Sequence, residues 1–279
     1  MVVEATHMAG PGVDHAADGI PFRHPARPHR KRNLLRALHH YRKLVEDKED
    51  TSHVFHIYDA LPSDYFEPDA ERLALSEHGE MLRKSEPYLP HILDDHEALR
   101  ALPQGTVGQA YCDFMQKQGL TADGLAKKSS WSGRPIYGDM IEWFGWRQRD
   151  THDLLHVMTG YGRDTLGEAC VLLFTHGHSP SPAHLLLGYS GALKIRQSVH
   201  TQAPVFDAAR EARRAGKGCS GLIGHPIREV LHMDLHHARQ TLGFSEPAAY
   251  RRCHEIWQDE NIDPHRLLAR EARPVRARN

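Results

Sequence analysis

The sequence predicts an all-α protein. Apolar residues recur at helical spacing through most of its 279 positions, no convincing period-two alternation appears, and no Asn-Gly or Asp-Gly turn joins two apolar runs. The expected architecture is a single multi-helix domain of roughly eight to eleven helices over residues 33–260, with a metal-binding helical hairpin and flexible termini. The length is ample for a sizeable core.

Residues 1–32 read as a flexible arm, rich in Gly, Pro, His and Arg, with a basic run from Arg23 to Arg32. A first helix follows from the stripe Leu34, Leu35, Leu38, Tyr41 and Val45. A second, behind a Thr51/Ser52 cap, carries Val54, Phe55, Tyr58 and Leu61. Val107, Ala110, Tyr111, Phe114 and Met115 form another stripe, and Gly119 stands at its expected end. Lys127–Tyr137, with Ser129, Ser130, Gly133 and Pro135, reads as the longest irregular connection. Leu166, Ala169, Cys170 and Leu173 make a helix closed by Gly177. Pro182 and Pro226 suit first helical positions, and the second opens a run from Ile227 to Leu242. Tyr250, Cys253 and Trp257 complete the core before an Arg-rich tail at 261–279.

Composition excludes several classes. Lys+Arg (35) and Asp+Glu (36) nearly cancel, which argues against a nucleic-acid partner held by phosphate neutralisation. Mean hydropathy is −0.58 and no apolar run approaches the roughly 20 residues of a membrane span. The first residues lack the apolar stretch of a secretory signal, so a cytoplasmic location is expected. Cys112, Cys170, Cys219 and Cys253 are far apart, which fits a reducing compartment and rules out a thiolate zinc knuckle.

The unusual residue is histidine, with 23 copies. His152-Asp153-Leu-Leu-His156 places two imidazoles one turn apart on a helix, with Asp153 about 100° round from His152. On an unbroken helix Glu168 would lie about 18 Å from His156, too far to share an ion. Gly160-Tyr161-Gly162-Arg163-Asp164 reads as a corner, however, and an αα-hairpin would bring Glu168 back to the imidazoles. His, Asp and Glu suit zinc and other first-row divalent metals. Random placement of so many histidines yields roughly two His-x-x-x-His pairs, and the chain has two. The second, His232/His236, has Asp234 nearby but no closing partner, so a polar helix face describes it better. Trp131, Tyr137, Trp143, Phe144 and Trp146 are read first as core packing and second as the lining of an apolar groove.

His152-Asp153-x-x-His156-x(11)-Glu168 resembles the signature of the Coq-four family of ubiquinone (coenzyme Q) biosynthesis proteins. Asp50-Thr51-Ser52 with Val54-Phe55, the stretch Leu102-Pro103 through Met115, and Pro226-Ile227-x-Glu229 with Arg239 and Leu242-Gly243 extend the likeness over residues 33–260. The Gly160–Asp164 corner departs from that of mitochondrial members and points to a divergent bacterial branch. The resemblance implies a divalent metal, zinc first with iron or manganese as alternatives, on His152, Asp153, His156 and Glu168. It implies oxidative decarboxylation of a polyprenylated hydroxybenzoate-derived precursor, in which a hydroxyl replaces the carboxylate at ring carbon one. Partners would be that aromatic substrate, other ubiquinone biosynthesis proteins and the inner face of the membrane, with a homodimer allowed. Arg163 is a candidate for binding the substrate carboxylate.

Two other readings stand beside it. One is a non-catalytic prenyl-lipid-binding scaffold, in which the metal only holds the hairpin. The other is a metal-dependent phosphohydrolase, which needs further His and Asp ligands; His96 and Asp207 are nominal candidates.

Overall fold

The computed structural model describes residues 19–46, 52–130, 133 and 135–268. Among them are sixteen α-helices and no strands. In chain order they are α1 (Leu34–Glu46), α2 (Ser52–Ala60), α3 (Phe66–Ala74), α4 (Glu77–Ser85), α5 (Pro90–Leu93), α6 (His96–Arg100), α7 (Val107–Gln118) and α8 (Ala122–Ser130). There follow α9 (Met140–Asp150), α10 (His152–Thr159), α11 (Thr165–His178), α12 (Pro182–Ser198), α13 (Val205–Lys217), α14 (Ile227–His232), α15 (Leu235–Leu242) and α16 (Ala248–Asp259). The all-helical class is as expected. The count exceeds expectation because segments such as α5 and α6 are only about a turn long, too short for periodicity to reveal. No described helix is long and apolar enough to cross a membrane.

The chain divides into two compact units, one within Met1–Asp95, Thr121–Asp150 and Pro226–Arg228, the other within His96–Leu120, Thr151–His225 and Glu229–Asn279. In the first, α3 packs on α9 through an edge-to-face contact of Phe66 and Phe144 at 5.3 Å. Its interior holds a fully buried ion pair. Glu86 accepts from Arg147 Nη2 at 2.8 Å and from the backbone N–H groups of Ile227 (3.0 Å) and Arg228 (2.7 Å). Asp94 caps α8 by accepting from Ala122 N and Asp123 N.

In the second unit α11 is central, packed against α12 and α13, with α16 on α13. Gly177 does not end its helix as predicted, because α11 runs on to His178. Its role is close approach: a Cβ there would meet Arg213 O of α13 at 2.6 Å.

Several local expectations are corrected. Lys127–Ser130 belong to helix α8, so the irregular connection is shorter than composition suggested. The stripe Leu34, Leu35, Leu38 and Val45 is exposed, although an apolar stripe ordinarily faces a core. The basic arm differs from its reading where the structure describes it. Arg27 makes two bonds to the buried Asp139 (2.5 and 2.6 Å), Arg23 pairs with Glu67, and Pro21 O accepts from Met140 N. A buried carboxylate requires such a partner. At the other end Asp263 caps a short turn over Pro264–Arg266, and Leu267 is buried. Residues 1–18 and 269–279, with Asp50, Thr51 and Trp131, lie outside the described residues.

The run from Ile227 to Leu242 is also not one helix. It breaks at Met233, and Asp234 caps α15 by accepting from His237 N at 2.9 Å. His232 and His236 therefore sit on different helices and lose the shared face that their spacing would give. Trp143 and Phe144 are buried, as the core-packing reading had it.

Candidate metal centre

The site is built at the corner between α10 and α11. Helix α10 ends on Gly160 in the left-handed region (φ 76°), where a side chain would be strained. Arg239 of α15 caps the same end, donating to Met158 O at 3.0 Å and Val157 O at 2.9 Å. Asp164 starts α11 by accepting from Leu166 N and Gly167 N, both at 3.1 Å.

The corner is pinned from α16. Tyr250 donates its hydroxyl to Asp164 Oδ2 and accepts from Gly162 N at 2.9 Å, while His254 Nε2 stands 3.3 Å from the same Asp164 oxygen. Burial raises the Asp164 carboxyl, but the bonds from His254 and Tyr250 outweigh it and hold the group below its ordinary range. The turn is tight. A Cβ on Gly167 would meet Gly162 O at 1.9 Å.

This corner brings Glu168 back to the imidazoles. Its Oε2 lies 3.4 Å from His156 Nε2 and 3.5 Å from His152 Nε2. One donor atom from each of the three residues falls within a single 4.8 Å span, and among the described residues no other such group forms. His156 is fully buried, with its ring stacked on Phe114 of α7 at 5.4 Å. Its Nδ1 is 3.0 Å from Tyr161 O, and since a carbonyl only accepts, Nδ1 must donate. In the neutral ring Nε2 then carries a lone pair, and it is buried without a hydrogen-bond partner. His152 and Glu168 are each about one-third exposed, so the cluster has a wet side and a dry side.

The electrostatics follow from this packing. Burial pushes the Glu168 carboxyl up, but the adjacent imidazoles prevail and hold it well below the usual range. Burial pushes His152 down, but its contact with Glu168 prevails and raises it. Arg163 is placed differently from its sequence reading: its Nε donates to Glu168 Oε1 at 3.2 Å, so it orients a candidate ligand. Asp153 is buried, and its carboxylate is not among the three converging donors. His96 and Asp207 do not join the cluster either; Asp207 pairs with Arg210 on α13.

No local pattern marks Tyr250, His254 or Phe114 for this site, because each reads as one more member of a helix. The Tyr161 carbonyl carries no side-chain signal at all.

The family model described as "Coenzyme Q (ubiquinone) biosynthesis protein Coq4" matches residues 46–248, well over half the chain and inclusive of the whole hairpin. The chain belongs to this family. Similar Coq4 proteins include the mitochondrial ubiquinone biosynthesis protein of Scheffersomyces stipitis, 24% identical over 174 residues, covering 62% of this chain and 52% of the relative. The mitochondrial homologue from Bos taurus is 25% identical over 153 residues, covering 55% of this chain and 56% of its own. The chain thus spans about half the length of these relatives. A crystal structure from Nostoc punctiforme, a candidate ubiquinone biosynthesis protein, shares the fold. It has a TM-score of 0.55 and 20% identity, covering 76% of this chain and 99% of its own.

Proposed function

We propose that His152 Nε2, His156 Nε2 and Glu168 Oε2 hold a divalent metal, zinc in the first instance with iron or manganese as alternatives, at a centre for ubiquinone biosynthesis. One observation carries this reading: the spacing of the donors. At 3.4 and 3.5 Å the nitrogen–oxygen distances exceed the roughly 2.7–2.9 Å of a charge-assisted hydrogen bond. Two ligands at about 2.1 Å from one tetrahedral ion would stand about 3.4 Å apart. With Nδ1 engaged by the Tyr161 carbonyl, Nε2 is the ring atom that remains to face the Glu168 carboxylate and a shared cation.

The reaction proposed is the conversion of a prenylated hydroxybenzoate-type ring, in which the carboxylate at ring carbon one leaves as carbon dioxide and a hydroxyl takes its place. In balance, ring–CO2H, dioxygen and water give ring–OH, carbon dioxide and hydrogen peroxide: water supplies the hydroxyl, and dioxygen takes up the two electrons and two protons. When bound, the metal supplies a Lewis acid for the substrate's carboxylate and phenolate oxygens. The chain's own residues prepare that position. The Tyr161 carbonyl fixes the His156 tautomer so that Nε2 faces the site. Arg163 holds one Glu168 oxygen and leaves the other as the donor. Phe114 excludes water from one side of His156. Asp153, next to His152, is proposed as a supporting carboxylate.

The polyprenyl tail of such a substrate places the work at a membrane surface, alongside the other enzymes of the pathway. The test begins with elemental analysis of the untagged chain purified without chelators, followed by incubation of the loaded protein with a carboxylated prenyl-phenol. Release of carbon dioxide, lost in Glu168→Gln and His156→Gln variants that keep their helical spectrum, is the expected result. Metal binding without conversion would leave the scaffold reading in its place. Absence of metal would remove both.

A further inference from the structure

Helix α13 has two unlike sides. Val205, Ala208, Ala209, Ala212 and Gly216 are buried, and the helix packs on α11, α12 and α16. At about 100° per residue, Arg210, Arg213, Arg214 and Lys217 fall within roughly 100° of arc on the other side. The acids of α13 do not neutralise this stripe. Asp207 pairs with Arg210 at 2.7 Å, and Glu211 is turned to α16, where it accepts from Ala249 N at 2.9 Å. Arg213, Arg214 and Lys217 form no ion pair among the described residues.

These cations border a groove. With Tyr189 of α12 they line a cavity of about 520 Å³, within the range of small-molecule sites. Arg213 is half-buried, and its Nε is buried without a hydrogen-bond partner. A buried guanidinium N–H ordinarily finds an acceptor, so the groove lacks an anion. The positive field reaches α11 as well. Burial pushes the His176 imidazole down, and Arg213 and Lys217 push it further, against a bond with Ser181.

The side chains select the ligand. An arginine fork matches the paired oxygens of a phosphate, and a lysine adds a point charge. The first and last of the four cations stand about 10 Å apart along the helix axis, so linked phosphates engage more of them at once than a single phosphate does. We infer that the groove between α12 and α13 is a binding site for a chain of two or three phosphates, free or carried by a nucleotide. Arg213 and Arg214 clasp the phosphate oxygens, Arg210 and Lys217 add positive charge, and Tyr189 forms the apolar wall. An acidic protein surface fits less well, because the cations rim a concavity and not a flat face. None of the three candidate metal donors takes part, so this inference and the metal centre can fail separately.

The test is isothermal titration of the full chain, in about 0.15 M salt, with inorganic pyrophosphate, ADP and adenosine. Pyrophosphate and ADP should bind and adenosine should not. Tighter binding of ADP assigns the site to a nucleotide, and equal binding assigns it to the phosphates alone. Arg214→Gln/Lys217→Gln, at two exposed positions, should weaken binding by about tenfold or more with unchanged circular dichroism and melting temperature. Arg213→Lys keeps the charge and removes the fork, and should weaken binding severalfold. Glu168→Gln should bind as wild type does, which separates the groove from phosphate capture by a metal. No binding by wild type, full affinity in the Arg214→Gln/Lys217→Gln variant, or loss of binding in Glu168→Gln overturns the inference. So does equally effective displacement by sulfate at matched ionic strength, since the stripe would then attract anions without recognising them.

Discussion

His156 Nε2 and Glu168 Oε2 face each other across the α10–α11 corner at 3.4 Å, and the other nitrogen of that imidazole already donates to Tyr161 O. Exchanging the carboxylate for an amide of the same shape removes the anionic donor and little else. Glu168→Gln should lower metal affinity by at least about tenfold while α11, anchored by the Asp164 cap, keeps its helicity. Metal content measured by mass spectrometry, unchanged from wild type, would sink the assignment of Glu168.

Gly167 is a steric requirement. Gly167→Ala drives a methyl group into Gly162 O, so the corner must open. A loss of about 1–3 kcal/mol is expected, read as a drop of several degrees in melting temperature, together with weaker metal binding. A variant with wild-type melting would mean the turn relaxes at no cost.

Tyr250→Phe removes one hydroxyl that serves both Asp164 and Gly162. It leaves a buried carboxylate oxygen short of a donor and a backbone N–H short of an acceptor. About 1–3 kcal/mol of destabilisation should appear in urea melts. A midpoint equal to that of wild type would show that water replaces the hydroxyl.

His184 is buried on α12, and burial, followed by the neighbouring imidazoles, pushes it down to about 3. Below an unfolded value near 6.5 the unfolded chain takes up a proton that the folded chain refuses. Its contribution is therefore fully present above pH 6.5 and lost as pH falls towards 3, at up to about 1.4 kcal/mol per pH unit. His184→Leu should flatten the fall in denaturant stability between pH 6 and 4, roughly by this slope. Parallel curves for variant and wild type would contradict it.

The Glu86–Arg147 pair predicts a different kind of loss. Arg147→Met strands a buried carboxylate that keeps only two backbone donors. About 3–5 kcal/mol of destabilisation is expected, against less for the double variant Glu86→Leu/Arg147→Met, which removes the stranded charge and leaves the Ile227 and Arg228 N–H groups without this acceptor. Comparison of the three chemical melts checks it; equal losses in single and double variants would refute the stranded charge.

How much of this was legible beforehand depends on the range of the forces involved. Helical class, the α7 stripe with its Gly119 end, and the return of Glu168 to His152 and His156 all follow from local spacing plus one glycine corner. The direction of α1 was not legible, because periodicity tells which residues share a face and not whether anything covers it. Asp153 and Glu168 are both acids near the histidine pair, and only the three-dimensional path of α11 shows which converges with the imidazoles. The split of His232 from His236 needed the helix break at Met233, where Val107 N bonds to Met233 O from a distant segment. Gly177 looked like a stop signal because a stop and a close crossing both select the smallest residue.

Asp164 and Tyr250 lie 86 positions apart in sequence, yet their bond secures the corner that aims Glu168. During synthesis the three donors leave the ribosome long before the tyrosine that fixes them. A nascent chain stopped short of α16 would hold His152, His156 and Glu168 and lack the bond that fixes their corner, so the arrangement of this cluster waits on the synthesis of α16.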